Sequence, residues 1–275
     1  MFPLMLRRGN FLFAAMLVLA LALAFTVTAD AVFVRVSIEN LAPVNGTFLT
    51  PVWVGFHDGA FDLYDIGVAA TPGLERLAED GNTAPLSGEF LGSGAGTVDG
   101  TIPGPGGPIA PGEKTSAVFS LDPTLATSQF FSYASMVIPS NDAFIANGNP
   151  LAHQIFDGSG SFLGVDFIVL GTGVRDAGTE VNDEIPANTA FLGQTVPDTG
   201  VTENGVVQVH PGFLPVGSGG ILDVAMFANG DFTAPGYEVA HIAVSVVPEP
   251  GTMVLFGVAM LGLFGLIWRR RASAV

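Results

Sequence analysis

The chain has 275 residues, a formal net charge of −16 at pH 7 and no cysteine. Disulfide bonds and thiolate metal sites are therefore excluded. The excess of acidic residues argues against nucleic acid as a partner, because phosphates would be repelled, and it makes cations the natural counterpart. The alternative is that the acidic surface serves solubility alone.

The first residues predict a secretory signal peptide, residues 1–29. Arg7 and Arg8 form a positive region, an apolar run of 15 residues follows at 11–25, and small residues precede Asp30. An uncleaved anchor is the alternative, although this run is short for a membrane span. We therefore expect the folded body to be residues 30–246, with 24 acids against 4 bases and a net charge of about −20.

The body shows the pattern of an all-β protein. Apolar and polar residues alternate over 32–39, which predicts a half-buried strand, and Thr50–Phe56 predicts a second one. Glycine, proline, asparagine and aspartate separate these from further short strands. Those are predicted at 116–121, 130–138, 164–170, 205–209, 221–227 and 238–246. The pattern predicts one domain, an antiparallel β-sandwich.

One short helix is predicted after the second strand. Thr71 suits the N-cap, Pro72 suits the first helical position, and the Asp80-Gly81 pair is typical of an end. Residues 92–114 are dominated by glycine and proline, which predicts a long surface loop.

The tail, residues 247–275, predicts a membrane anchor. Gly251 to Trp268 carries no charge, and these 18 residues give roughly 27 Å of helix, just enough to cross a bilayer core of about 30 Å. Three arginines follow directly, which predicts that the tail ends in the cytoplasm and that the body lies outside. The residues of the motif are Val247, Pro248, Glu249, Pro250, Arg269, Arg270 and Arg271.

The order of Pro-Glu-Pro, apolar span and terminal arginines resembles the PEP-CTERM sorting signal of bacteria that make exopolysaccharide. The resemblance implies processing by an exosortase, a membrane enzyme that cuts near Pro-Glu-Pro and releases or transfers the body. An ordinary C-terminal anchor is the alternative. We expect a precursor anchored in the inner membrane, with its body in the periplasm or outside, and a mature form at the cell surface or secreted.

Several blocks of the body resemble the spondin domain, and they occur in the family's order over roughly 31–246. The animal members are matrix proteins whose domain is a β-sandwich related to C2 domains and binds a calcium ion. The resemblance therefore implies a C2-like, spondin-like sandwich. The blocks are 34–41, 50–58, 77–82, 139–144, 176–180 and 210–211.

The resemblance also implies a calcium site. The family's three acidic ligand positions match Asp142, Asp176 and Glu180, the last standing where the animal pattern has aspartate. Calcium takes six to eight oxygen ligands, and two carboxylates this close repel unless a cation lies between them. The alternative is three surface acids in loops. Asp183 and Glu184 lie near, but nothing in the pattern places them among the ligands.

No catalytic motif is present in the sequence. There is no GxSxG elbow, phosphate-binding loop or HExxH pair, and residues 157–161 predict a hairpin turn rather than an EF-hand. The four histidines have no close spacing, so structural roles are expected. With 22 Phe against two Trp and three Tyr, the composition does not indicate an aromatic surface for stacking sugars.

We therefore expect a non-enzymatic module for adhesion or matrix association, with exopolysaccharide or surface proteins as partners. Two alternatives remain. One is an extracellular hydrolase that uses carboxylates or a metal-bound water. The other is a purely structural coat protein.

Overall fold

The structure is a computed structural model that describes residues 31–248. The predicted signal peptide, the apolar span, Glu249, Pro250 and the arginine cluster lie outside the described residues. Among residues 31–248, no helix has the length and hydropathy that a membrane span requires.

The described part consists mainly of β-strands, and every strand pairing is antiparallel. Two short α-helices, α1 (Pro72–Asp80) and α2 (Ala84–Ser93), lie between the third and fourth strands. The strands are β1 (Val32–Asn40), β2 (Phe48–Leu49), β3 (Val52–His57), β4 (Gly96–Ile102), β5 (Lys114–Leu121), β6 (Phe130–Ile138), β7 (Ala143–Ala146), β8 (Val165–Leu170), β9 (Arg175–Asp176), β10 (Gln208–Val209) and β11 (Glu238–Val246).

The strands form two sheets that enclose the main core. One sheet has the order β5-β1-β11-β8, and the other has the order β10-β9-β7-β6-β3-β4, with β2 beside β6. Val36 and Ile242 of the first sheet pack in one buried cluster with Phe56, Phe131 and Ile145 of the second. The predicted antiparallel β-sandwich is confirmed.

The two helices cover the outer face of the second sheet and create a second core. Leu77 of α1 and Phe90 of α2 are buried with Trp53 and Phe144 of that sheet, and the Trp53 and Phe90 rings are 5.3 Å apart. Because this sheet is covered on both faces, β3 is buried at every position and does not alternate as a half-exposed strand would.

The helix prediction is half right. The structure has α1 where it was predicted, with the Leu74 N–H donating to Thr71 Oγ1 at 3.2 Å. A second helix, α2, follows it. Its two glycines and two serines have low helix propensity, so the sequence gave no helical signal there. Its formation depends on tertiary packing, since Leu86 and Phe90 are its buried residues.

The prediction that 92–114 is a continuous loop is wrong, because β4 lies within it and pairs with β3 from Val52↔Ile102 to His57↔Gly96. Its glycines hid the strand, yet one of them is required by the packing. A Cβ on Gly96 would lie 2.1 Å from the Phe90 ring. Glycine therefore lets α2 pack against the start of β4.

Two other strand predictions are corrected. Residues 221–227 form two 3-10 turns, Ile221–Asp223 and Ala225–Phe227, instead of a strand. Of 205–209 only Gln208–Val209 is a strand. Ile221 and Phe227 are buried. This segment is apolar because its turns pack into the protein, and not because it alternates as a strand does.

We predict that His153→Phe makes the protein less sensitive to acid. The His153 ring stacks on Phe167 with centroids 4.0 Å apart and an interplanar angle of 9°, and burial lowers its pKa from 6.5 to about 4. Between pH 6.5 and 4, His153 is therefore protonated in the unfolded chain but neutral in the folded protein. The free energy of unfolding decreases as the pH falls through this range. Phenylalanine keeps the stack and cannot titrate. Urea unfolding across this range should give a shallower decline for the variant, and equal slopes would contradict the prediction.

Candidate metal centre

Pairing between β7 and β9 brings two acidic loops together. Ala143 pairs with Asp176 and Phe144 pairs with Arg175, so Asp142, the residue before β7, lies beside the turn that follows β9. The backbone N–H of Ala177 donates to the carbonyl oxygen of Asp142 at 3.2 Å. The fold thus brings together two segments that are distant in sequence.

The turn from Asp176 to Glu180 depends on a glycine. The Gly178 N–H donates to Asp176 Oδ1 at 2.7 Å, and Gly178 has a φ of 68°, a conformation that side chains disfavour. A Cβ at this position would lie 2.5 Å from the backbone nitrogen of Val206. The carbonyl oxygen of Gly178 accepts from Gly205 N–H at 2.6 Å, so the turn is tied to the segment before β10.

The Asp142 carboxylate is buried and only half satisfied. Its Oδ2 accepts hydrogen bonds from the Thr179 N–H at 2.8 Å, the Glu180 N–H at 3.1 Å and the Thr179 hydroxyl at 3.2 Å. Its Oδ1 is buried without a partner among the described residues. Burial, and then the nearby charge of Asp176, raise the pKa of Asp142 to about 7.

Asp176 is the second carboxylate of this pair. Its Oδ2 accepts from the Asn182 amide at 2.9 Å and from the Gln208 amide at 3.1 Å. Side chains of β10 and of the loop that follows β9 therefore orient Asp176, while its charge acts on Asp142.

Glu180 contacts Asp142 through its backbone N–H and not through its carboxylate. Its Oε1 accepts from the Gly200 N–H at 2.9 Å, and its Oε2 is buried without a partner in residues 31–248. Burial first, then repulsion by Glu79, and to a smaller extent by Asp142, raise the pKa of Glu180 to about 7. The longer glutamate side chain thus reaches towards Gly200 and Glu79.

The surroundings of Glu180 are rich in acid. Arg76 of α1 forms ion pairs with Glu79 at 3.2 Å and with Asp198 at 3.3 Å, and it also pairs with Asp80. One guanidinium therefore faces three carboxylates before Glu180 is counted. The region has more negative charge than its own cation neutralises.

Asp183 and Glu184 are used by the loop itself. Asp183 Oδ2 accepts from the Asn188 amide at 2.7 Å and its Oδ1 from the Ile185 N–H at 2.9 Å. The Glu184 carboxylate accepts from the Leu214 N–H and from the Ile221 N–H. Their oxygens hold the long loop rather than the Asp142–Asp176 pair.

His210 is a neighbour of Asp176 that the sequence pattern did not place in the site. It is buried, which lowers its pKa to about 4 against the opposing effect of Asp176. The Gly212 N–H donates to its Nδ1 at 3.0 Å, so the neutral ring carries its proton on Nε2. In this form neither nitrogen is available to a metal. No spacing in the sequence connects His210 with Asp176; only the β9–β10 pairing does.

The oxygen donors have the chemistry that a hard cation requires, but their side chains are not all arranged around one point. The candidate ligands are oxygens, two of them are buried without partners, and two of the carboxylates repel each other. Within residues 31–248, however, no group of three or more Asp, Glu or His side chains has the spacing of a metal site. Asp142 and Asp176 come together, whereas the Glu180 carboxylate is drawn to Gly200.

The comparisons with known families agree with both resemblances. Residues 39–148, about two fifths of the chain, match the Spondin_N family model, and residues 246–271 match the PEP-CTERM protein-sorting motif. Asp142 lies inside the first match, whereas Asp176 and Glu180 lie beyond its end. A search of curated proteins gave no match. The two matches support an exported surface protein that an exosortase sorts.

We predict that Gly178→Ala destabilises the protein more than Gly217→Ala. Both glycines have positive φ values, 68° and 92°, so alanine carries a similar backbone penalty at each. A Cβ at position 217 meets no atom within 4 Å, whereas at 178 it meets the Val206 backbone. We expect an additional loss of about 1–3 kcal/mol for Gly178→Ala, measured by chemical denaturation. Equal losses for the two variants would contradict the close approach.

Proposed function

We propose that this chain, which carries a Spondin_N domain and a PEP-CTERM sorting motif, is a non-enzymatic, calcium-binding surface module that associates with the extracellular matrix. The calcium ion would be held by Asp142, Asp176 and Glu180. The proposal rests on one observation above all: Asp142 Oδ1 and Glu180 Oε2 are buried carboxylate oxygens without partners among the described residues.

Buried carboxylates without partners are costly, and a cation removes that cost. Oxygens with no hydrogen bond lose the solvation they have in water, and Asp142 is also repelled by Asp176. A calcium ion supplies positive charge and accepts carboxylate, carbonyl and water oxygens together. When bound, it would join the loop before β7 to the turn after β9.

The hydrolase alternative predicts an enclosed pocket in which two acids and a histidine converge. Four cavities of residues 31–248 have Asp80, Glu75, His153 and Glu238, respectively, as the acid or histidine in their walls. None of these four combines two acids with a histidine.

The sorting motif begins where the body is already complete. β11 is a central strand of its sheet, between β1 and β8, and it ends at Val246. Among residues 31–248, the last backbone hydrogen bond of this ladder runs from the Val247 N–H to the Phe33 carbonyl at 2.8 Å, and Pro248 has no N–H to continue it. A cut near Pro-Glu-Pro would therefore leave both sheets whole.

We predict that Asp142→Asn has opposite effects with and without calcium. Asparagine has nearly the same shape but no charge, so in EGTA at pH 8 it should leave the protein at least as stable, because a buried anion is removed. With calcium it should lose the stabilisation that mass action gives the wild type, about 2.7 kcal/mol at a concentration 100 times Kd. Thermal unfolding of the processed protein in both buffers measures this.

The matched control is Asp65→Asn, because Asp65 is exposed and lies outside the candidate centre. It should keep the full calcium-dependent shift in melting temperature, and calorimetric titration should give an unchanged Kd. A wild type that neither binds calcium nor melts higher in its presence would reject the site and favour a structural coat protein.

We predict that Glu249→Ala blocks processing of the tail. An exosortase that reads Pro-Glu-Pro would leave this variant as an uncut membrane precursor, while the wild type appears with a new C-terminus near residue 248. Intact-mass spectrometry of the membrane and secreted fractions distinguishes the two forms. Equal processing of both would indicate an ordinary anchor.

A further inference from the structure

A groove between β6, β8 and β9 combines aromatic rings with an arginine. Its volume is about 400 Å³. Tyr64, Tyr133, His153, Phe167 and Arg175 are among its lining residues. Two of the three tyrosines of the chain thus meet in one place, although the composition indicated no such surface.

Arg175 is held in the groove by neutral groups. Its Nε donates to the Tyr64 hydroxyl at 3.2 Å, and its Nη1 donates to the carbonyl oxygens of Thr172 at 2.9 Å and Val174 at 3.2 Å. Among the described residues no carboxylate lies within 4.0 Å of it, and its Nη2 has no acceptor. A fixed guanidinium with a free amino group is suited to binding an anion.

A second tyrosine, Tyr133, lines the same groove. It is 5 % exposed, and its hydroxyl makes no hydrogen bond within residues 31–248. Burial raises the pKa of Tyr133, and Tyr64 and Arg175 are the two groups whose charges act on it. Gly148 makes room for this arrangement, because a Cβ there would lie 2.7 Å from the Tyr64 ring.

The groove is free of acid in a protein dominated by acid. None of its fifteen lining residues is Asp or Glu, although the body carries 24 acids against 4 bases. Three other cavities each contain an acid, namely Asp80, Glu75 or Glu238. Arg175 is therefore the residue with a permanent charge in the wall of this groove.

The groove also has an aromatic wall, formed by His153 and Phe167. His153 and Phe167 stack with centroids 4.0 Å apart, and both rings are partly exposed. The exposed Asn149 lies at the rim, with its Oδ1 engaged by the Leu151 N–H at 2.9 Å and its amide nitrogen left to donate. A ligand that suits this groove would have one anionic group, a ring that can pack on the aromatic side chains, and hydroxyl groups that can accept hydrogen bonds.

We propose that the groove binds an acidic sugar, such as a uronic acid unit of a polysaccharide. The carboxylate would lie against Arg175 Nη2 and the Tyr133 hydroxyl, and the sugar ring would pack on the His153–Phe167 wall. The groove is open at the surface, so the bound unit can belong to a longer chain. This gives the proposed matrix association a partner and does not require the calcium ion.

The test is calorimetric titration of the processed protein with trigalacturonate, in EGTA and again with saturating calcium. Trigalacturonate should bind in both buffers, and neutral maltotriose should bind at least about tenfold more weakly, as expected for loss of a charged hydrogen bond. Binding of maltotriose with equal affinity would overturn the proposal. So would hexaglutamate binding more tightly than trigalacturonate, because the groove would then recognise acidic peptide.

Variants assign the effect to the groove. Arg175→Gln should weaken trigalacturonate binding at least about tenfold and Tyr133→Phe about fivefold, while Arg35→Gln, an equal loss of charge at an exposed arginine on β1, should change nothing. Tyr133→Phe keeps the packing, so it tests the groove even if Arg175→Gln does not fold. Unchanged affinity in Tyr133→Phe together with unchanged affinity in a folded Arg175→Gln would overturn the proposal.

Because Arg175 precedes Asp176, calcium binding is measured for each variant as well. Loss of sugar binding with calcium binding intact supports a separate groove. Loss of both in Tyr133→Phe would contradict it. If the wild type binds trigalacturonate but not calcium, the calcium proposal fails and the groove stands.

Discussion

The pairing of β7 with the two residues of β9 is the contact on which both candidate sites depend. It places Asp176 beside Asp142, and it places Arg175, one residue earlier, beside Tyr64. Successive residues of a strand point to opposite faces, so the two neighbours have separate surroundings. A carboxylate, Asp176, and a guanidinium, Arg175, are thus held side by side on the same short strand.

The distribution of charge follows from this arrangement. Acids dominate the body, and two of its buried acids, Asp142 and Glu180, have carboxylate oxygens without partners within residues 31–248. Arg76 cannot neutralise them, since it already pairs with Glu79, Asp80 and Asp198. Conversely, Arg175 is stabilised by carbonyl and phenol oxygens, which leave its positive charge uncompensated. One region therefore has an excess of negative charge, and the other has an uncompensated positive charge.

Local sequence signals predicted most of the longer strands. The bounds of β6 and β11 agree with prediction to the residue, because both are bounded by turn residues and carry apolar side chains. The short strands β2, β7 and β9 were not predicted, and neither were β4 and α2, which pack together on the second sheet. Gly96 reads as a loop residue, yet it is glycine because the Phe90 ring lies against it. Contacts of this kind produce no periodic pattern of apolar residues in the local sequence.

For function, the sequence alone determined that the body is acidic and lacks thiols and that a sorting motif follows it. Charge, composition and a contiguous motif can be recognised without knowledge of the fold. It also named Asp142, Asp176 and Glu180, but only through resemblance. The tertiary structure decided that Glu180 turns its carboxylate to Gly200 and that Tyr64, Tyr133 and Arg175 share a groove. These are distances between residues far apart in the chain, and strand pairing across the sheet sets them.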